Sequence, residues 1–320
     1  MFLEQLSIRE LTVERIIGGG ITNIPGKIFY LDPTNGSDGN DGLAPNTAKA
    51  SLAAAYALMT ANQHDTLVYI AGTTGLNVAS GGFDWNLAQT HLVGICANTM
   101  YGKRARIQAT STNTDAVMFT ISARGCNFKN IRWFYGVASA AALGCVKITG
   151  SDNAFDDCSF EGIGNATQDA ANAYSLEING AADCTFTRCN IGSDTIDRGT
   201  ASNDELRFDT RASKALFDDC IFHARIEATT HNFVKVVDVT GIGSYILFRN
   251  CIFVSHSTAN AYTMASVFDV PASVLTAIIG VVNCGAIGCT DWESNNRGTV
   301  YTAMPDAGTA GTGCGIGQVV

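Results

Sequence analysis

The sequence predicts an all-β fold, a right-handed single-stranded parallel β-helix of about six rungs with a repeat near 31 residues. Three observations predict it. Cys158, Cys189, Cys220 and Cys251 follow one another at a constant interval of 31 residues. Phe155, Phe186, Phe217 and Phe248 stand three before them, and Phe160, Ile191, Phe222 and Phe253 two after, so F-x-x-C-x-[FI] recurs four times in register. Short segments alternating apolar and polar residues run in phase with this unit, which marks half-buried strands rather than helix. Repeats that each bury only part of their surface must stack. Stacked strands stand ~4.8 Å apart.

The elements follow in chain order. Residues 1–24 are predicted to be an arm: Leu3, Leu6, Ile8, Leu11, Val13, Ile16 and Ile17 are too apolar for a solvated tail, and Gly18-Gly19-Gly20 gives a hinge. An apolar arm beyond a closed core points to contact with a partner chain. Residues 25–104 are predicted to be a small α/β cap with the first strands. IFYL (28–31) reads as a strand, and DPTNGSDGNDGLAPN has the ordinary composition of turns. TAKASLAAAYALMTA reads as a helix starting near Asn46 or Thr47, placed to cover the open edge of the coil. DTLVYIAG and THLVGIC return to strand.

Residues 105–304 carry the rungs, with looser copies of the unit at Phe128, Ile131 and Trp133 and at Val281, Cys284 and Ile287. Phe and Cys three apart would face opposite sides of one strand, so a bend must lie between them. The bend position holds Asn130, Asp157, Arg188, Asp219 and Asn250, and Asn and Asp tolerate the left-handed backbone of such a corner. The second line of strands sets Val146/Ile148, Leu176/Ile178, Leu206/Phe208, Val237/Val239 and Phe268/Val270 inside. Residues 305–320 read as a Gly-rich tail.

The stretch FYLDPTNGSDGNDGLAPNTAKASLAAA, with the repeat behind it, resembles the pectin-lyase-like parallel β-helix proteins, of the kind found in phage tailspikes and virion-surface proteins. The resemblance spans about residues 28–290 as architecture and implies a homotrimer. It implies no single activity, because the fold hosts lyases, hydrolases and inert scaffolds.

Composition removes several function classes. The chain has 320 residues, 46% of them hydrophobic, which is ample for a core, and its net charge of −9 disfavours broad nucleic-acid binding. No apolar run approaches the ~20 residues of a membrane-spanning helix. Glu4, Arg9, Glu10, Glu14 and Arg15 interrupt the apolar stretch that a signal peptide needs. Eleven cysteines would suggest disulfides in a secreted chain, but the number is odd and the repeat places four of them in a line. A tetrahedral metal site needs ligands converging on a point, so no metal is expected and the column reads as buried, reduced core. The opening Asp/Asn/Gly loop does not fit the EF-hand register, and no cofactor is expected.

The outward column of the second strand line reads Lys147, Glu177, Arg207, Asp238 and Asp269. The last two would stand side by side, and carboxylates ~5 Å apart suit a retaining glycosidase pair. Asp238 and Asp269 are therefore the catalytic candidates. Trp85 and Trp292 read as loop residues able to stack on a sugar, whereas Trp133 sits at an inward position. The corner column Asp157, Arg188, Asp219 and Asn250 reads as a self-neutralising ladder. Loops around 163–173, 192–203 and 255–264, rich in small polar residues, suit contact better than acid/base chemistry.

The expected function is thus a non-catalytic virion-surface protein of a tailed phage, a capsid decoration or short tail-fibre or tailspike element. It would be made in the host cytoplasm and assemble with itself and, through the arm, with other virion proteins. A host surface glycan is a further expected partner; nucleic acid and membrane are not. The alternatives are a polysaccharide-degrading lyase or hydrolase, and a bacterial surface carbohydrate-binding module.

Overall fold

The structure, a computed structural model, describes residues 26–100, 102–199, 202–228, 231–257, 263–272, 277–295 and 300–302. The proposed arm (1–24) and tail (305–320) lie outside them. The chain coils in rungs of three strands, which stack into three sheets of ten, eight and eight strands. The first sheet carries the phenylalanine of the motif, in strands such as Ala154–Asp156 and Thr185–Thr187. After the corner comes the second sheet, with Ser159–Glu161 and Asn190–Arg198. A longer loop then leads to the third, with Tyr174–Asn179 and Asp204–Asp209. Ladders between successive rungs are parallel throughout, with Phe155 beside Phe186, Phe160 beside Ile191 and Leu176 beside Leu206.

Six rungs fall within 105–304, and two more precede them. Residue 104 is not a structural boundary. Thr66–Ile70 and His91–Ile95 already belong to the first sheet, with Leu67 beside Leu92 and Leu92 beside Phe128. Leucine fills the phenylalanine position there, so the coil continues although its signature does not. The helix also differs from expectation. Pro45–Thr47 forms one 3-10 turn, and the α-helix is confined to Leu52–Tyr56. The Asp38 carboxylate accepts the amides of Ala50 and Ser51, which holds the chain extended up to Ser51. Ser51 is the true cap, its Oγ accepting from the Ala54 amide at 3.3 Å.

Inside the coil the motif becomes two columns. The rings of Phe155, Phe186, Phe217 and Phe248 stack nearly parallel at 4.7, 4.5 and 4.9 Å. Beside them Cys158, Cys189, Cys220 and Cys251 are buried free thiols, continued by Cys284. Each Sγ of the four points at the carbonyl of a phenylalanine on the rung before, as Cys189 does to Phe155 at 3.5 Å. Burial pushes the Cys158, Cys189 and Cys220 thiols well above the ordinary range. The corner is left-handed on the six later rungs: φ is 55° at Asn130, 53° at Asp157, 51° at Arg188, 56° at Asp219, 54° at Asn250 and 54° at Asn283.

The third sheet departs from the predicted inward set at one rung. Val234 and Val236, not Val237 and Val239, align with Leu206 and Phe208. Val237 and Val239 are 37% and 50% exposed. Val234 follows Leu206 by 28 residues and Phe268 follows Val234 by 34, so a shortened loop and a lengthened one cancel over two rungs. At the last rung Ala286, not Ile287, continues the inward line beside Phe253.

Candidate functional site: the charged outer faces

The register shift at Val234 rewrites the outer column of the third sheet. It runs Lys147, Glu177, Arg207, Lys235 and Asp269. Lys147 reaches Glu177 at 3.5 Å, and Lys235 reaches Asp269 at 4.0 Å. The predicted pair of Asp238 and Asp269 is not brought together. Asp238 lies beyond the strand in a turn, where its Oδ1 accepts from the Thr240 amide at 2.7 Å and hydroxyl at 2.8 Å. Those hydrogen bonds hold its carboxyl below the usual range.

Both tryptophan candidates stand in strands rather than loops, Trp85 buried and Trp292 half-buried. Trp85 ends the strand Phe83–Trp85, fully buried, with its Nε1 donating to Thr90 Oγ1 at 3.0 Å and its ring against Tyr56 and Phe128. An inward strand position, not a loop, decides this. Trp292 lies in Cys289–Glu293 and closes the last rung over Phe253 and Phe268. The corner column does self-neutralise: Arg188 donates to Asp157 at 3.0 Å and also engages Asp156.

Three buried acids with Arg partners escaped sequence reasoning. Asp204, beside Tyr174 in the third sheet, takes Nε and Nη2 of Arg207 on one oxygen at 3.1 and 2.6 Å. Burial outweighs Arg207 and Lys235 and pushes its carboxyl up to about 6. The Arg207 guanidinium lies 5.1 Å from the centre of the Tyr174 ring. That ring in turn covers Gly144, where any side chain would collide with it. Glu161, in the second sheet, accepts both arms of Arg132 at 2.9 and 2.6 Å, and burial still raises its carboxyl.

The third acid, Glu205, pairs with the equally buried Arg198. Ser175 Oγ donates to Glu205 at 2.7 Å, and Arg198 Nη2 donates to the Ser193 carbonyl at 2.9 Å. This pair pins the loop between the second and third sheets. None of these residues belongs to the repeated unit, and their only sequence signal is an acid or Arg inside a strand-like segment.

Chemically, these acids are held by Arg partners and sealed from solvent, which suits structure better than substrate contact. Among the described residues, no group of three or more His, Cys, Asp or Glu side chains is placed to hold a metal ion.

The architecture is that of the pectin-lyase-like parallel β-helices. A pectate lyase, Pel9A, superimposes with a TM-score of 0.63 at 13% identity, over 88% of this chain and 69% of its own. The pectin methylesterase PemA from Erwinia chrysanthemi gives 0.53 at 14% identity, over 86% and 80%. A pectin methylesterase from Aspergillus niger gives 0.51 at 14%, over 88% and 82%. At such identities the likeness is one of fold. Neither a family profile nor a curated relative matches the sequence.

Proposed function

We propose that the chain is a rigid, non-catalytic rod on the surface of a tailed-phage particle, serving as a capsid decoration or short tail-fibre or tailspike element, and working as a homotrimer. The observation that carries this reading is the pairing of outer acids with cations along the rungs. Glu177 faces Lys147, Asp269 faces Lys235, Glu161 faces Arg132 and Asp218 faces Arg249. Such ladders stabilise a shaft and leave its carboxylates committed. The reduced cysteine column supports folding in a cytoplasm followed by release, since secreted chains usually oxidise their thiols.

A second reading, a polysaccharide-cleaving enzyme, draws on Asp204, whose raised carboxyl resembles a general acid. One experiment separates them. Purified chain is incubated with host surface polysaccharide and assayed for reducing ends and unsaturated products, while purified particles are searched for the chain by mass spectrometry. Presence in particles with no products is expected. Products lost on Asp204→Asn would establish the enzyme instead.

A further inference from the structure

The cysteine column carries a chemistry that core packing does not use. Cys158, Cys189, Cys220 and Cys251 are buried free thiols on successive rungs. Each Sγ lies 3.3–3.5 Å from two carbonyl oxygens, that of a phenylalanine on the rung before and that of the residue two places earlier. The four thiols therefore stack by simple translation. Their backbones keep the same register, because the carbonyls of Cys158, Cys189 and Cys220 accept the amides of Asn190, Ile221 and Ile252 at 2.8, 2.9 and 3.0 Å. The neighbouring phenylalanine rings, stacked at 4.7, 4.5 and 4.9 Å, measure that translation.

A line of thiols excludes an ion that wants four converging ligands. It does not exclude a soft ion that takes two. Two thiolate–metal bonds of ~2.3 Å placed end to end span ~4.6 Å, which is the rung spacing. Side chains stand across the stacking axis, so an ion midway between two sulfurs meets each Cβ–Sγ bond near a right angle, the bent geometry that sulfur prefers. Thiolates and thioethers select Cu(I). A small ion also has a way in. Cys189 and Cys220 line a groove of about 360 Å³ beside the corner column, and the exposed thioether side chain of Met100 lines it with them.

We propose that the column binds Cu(I), one ion between Cys158 and Cys189 and a second between Cys220 and Cys251. Each ion takes one thiolate and one thiol. The entering Cu(I) displaces a single proton to solvent, so the buried site stays neutral, which a low-dielectric interior favours. The carbonyl that this S–H faced loses a weak donor, a small loss against two copper–sulfur bonds. Two ions are the ceiling for these four thiols. A sulfur with an ion on each side along the axis would need a straight metal–sulfur–metal angle, which bent sulfur bonding forbids, so adjacent gaps cannot both fill. Cys284 continues the column, but its Sγ accepts the Cys251 amide at 3.3 Å and stays outside the set. The site goes beyond the virion reading and stands whether or not the chain belongs to a particle.

Copper loading of the reduced full chain tests it. The chain is dialysed without oxygen against Cu(I) buffered by a chelator, desalted, and its copper counted by atomic emission. Two ions per chain are expected. X-ray absorption at the copper edge should show two sulfurs at ~2.3 Å and no third. Cys189→Ser should lower the count to one. Cys189→Ser with Cys251→Ser leaves Cys158, Cys220 and Cys284 without a neighbour and should lower it to zero, whereas Cys96→Ser, off the column, should keep two. The same double replacement by Ala repeats the reading without buried hydroxyls, and a cooperative melt verifies the fold of each variant. A wild-type count that does not round to two, copper retained by a folded double variant, or a third sulfur on copper would each overturn the proposal.

Discussion

The corner between the first and second sheets and the junction between the second and third solve the same problem in opposite ways. At the corner, one left-handed residue turns the chain on each of six successive rungs, from Asn130 to Asn283. A one-residue bend has no slack, so on these rungs Phe and Cys stay three apart, whereas the two earlier rungs cross the same corner by longer loops, from Ile70 to Leu76 and from Ile95 to Arg106. At the junction the second-sheet strands end at Phe134, Glu161, Arg198, Ile226 and His256, and the next strands begin at Gly144, Tyr174, Asp204, Asn232 and Met264. Loop length varies there because each added residue costs little closure entropy. The variable loops are held instead by polar contacts, above all Arg198 with Glu205 and Ser175. Rigid register comes from the short turn, and individuality from the long one.

The hardest test of the rigid side is Phe186→Ala. It removes a ring stacked between Phe155 and Phe217 and should destabilise the coil by about 3–5 kcal/mol in urea unfolding. A loss under ~1 kcal/mol would mean the column is not a packed core. The variable side is tested by a pair of valines. Val234→Ala should cost about 2 kcal/mol, and Val237→Ala less than ~0.5 kcal/mol, because Val234 alone faces the core. Equal costs would restore the unshifted register.

Next comes Cys189→Ser, expected to cost about 1 kcal/mol: the hydroxyl inherits the carbonyl of Phe155 as acceptor but fills less space. In the same protein, a thiol reagent should leave Cys158 and Cys220 unmodified until the chain unfolds, since burial suppresses their thiolates. The smallest effect is a slope. Asp204 titrates near 6 when folded against 3.8 ordinarily, so the folded state holds the extra proton between those values. Its contribution is therefore present below pH 4 and lost as pH rises through about 6. Asp204→Asn should remove up to ~1 kcal/mol per pH unit from the fall of stability across that window. An unchanged slope would show that Arg207 keeps Asp204 ionised throughout.

What could be read from the sequence follows the same division. The corner residues and the Phe and Cys columns were legible because a fixed period makes chemistry recur at fixed numbers. The shift to Val234 was not, since VDV at 237–239 alternates as well as a true strand and nothing local reveals a loop three residues short. The error then carried Asp238 into a column that Lys235 occupies. Trp85 was misread for a related reason: Leu67 and Leu92 replace the phenylalanine of the motif, so the two earliest rungs left no repeat to place it in.

The stacking of the core follows from the repeat alone, because identical apolar units that cannot bury themselves alone must bury one another. Which charges meet is set by the folded coil. Arg198 with Glu205, Asp204 beneath Arg207, and Arg106 beside Arg132 depend on loop lengths and rung register, which bring residues from different turns within a few ångströms. Charge interactions act through space and fall off with distance, so no periodicity along the chain records them.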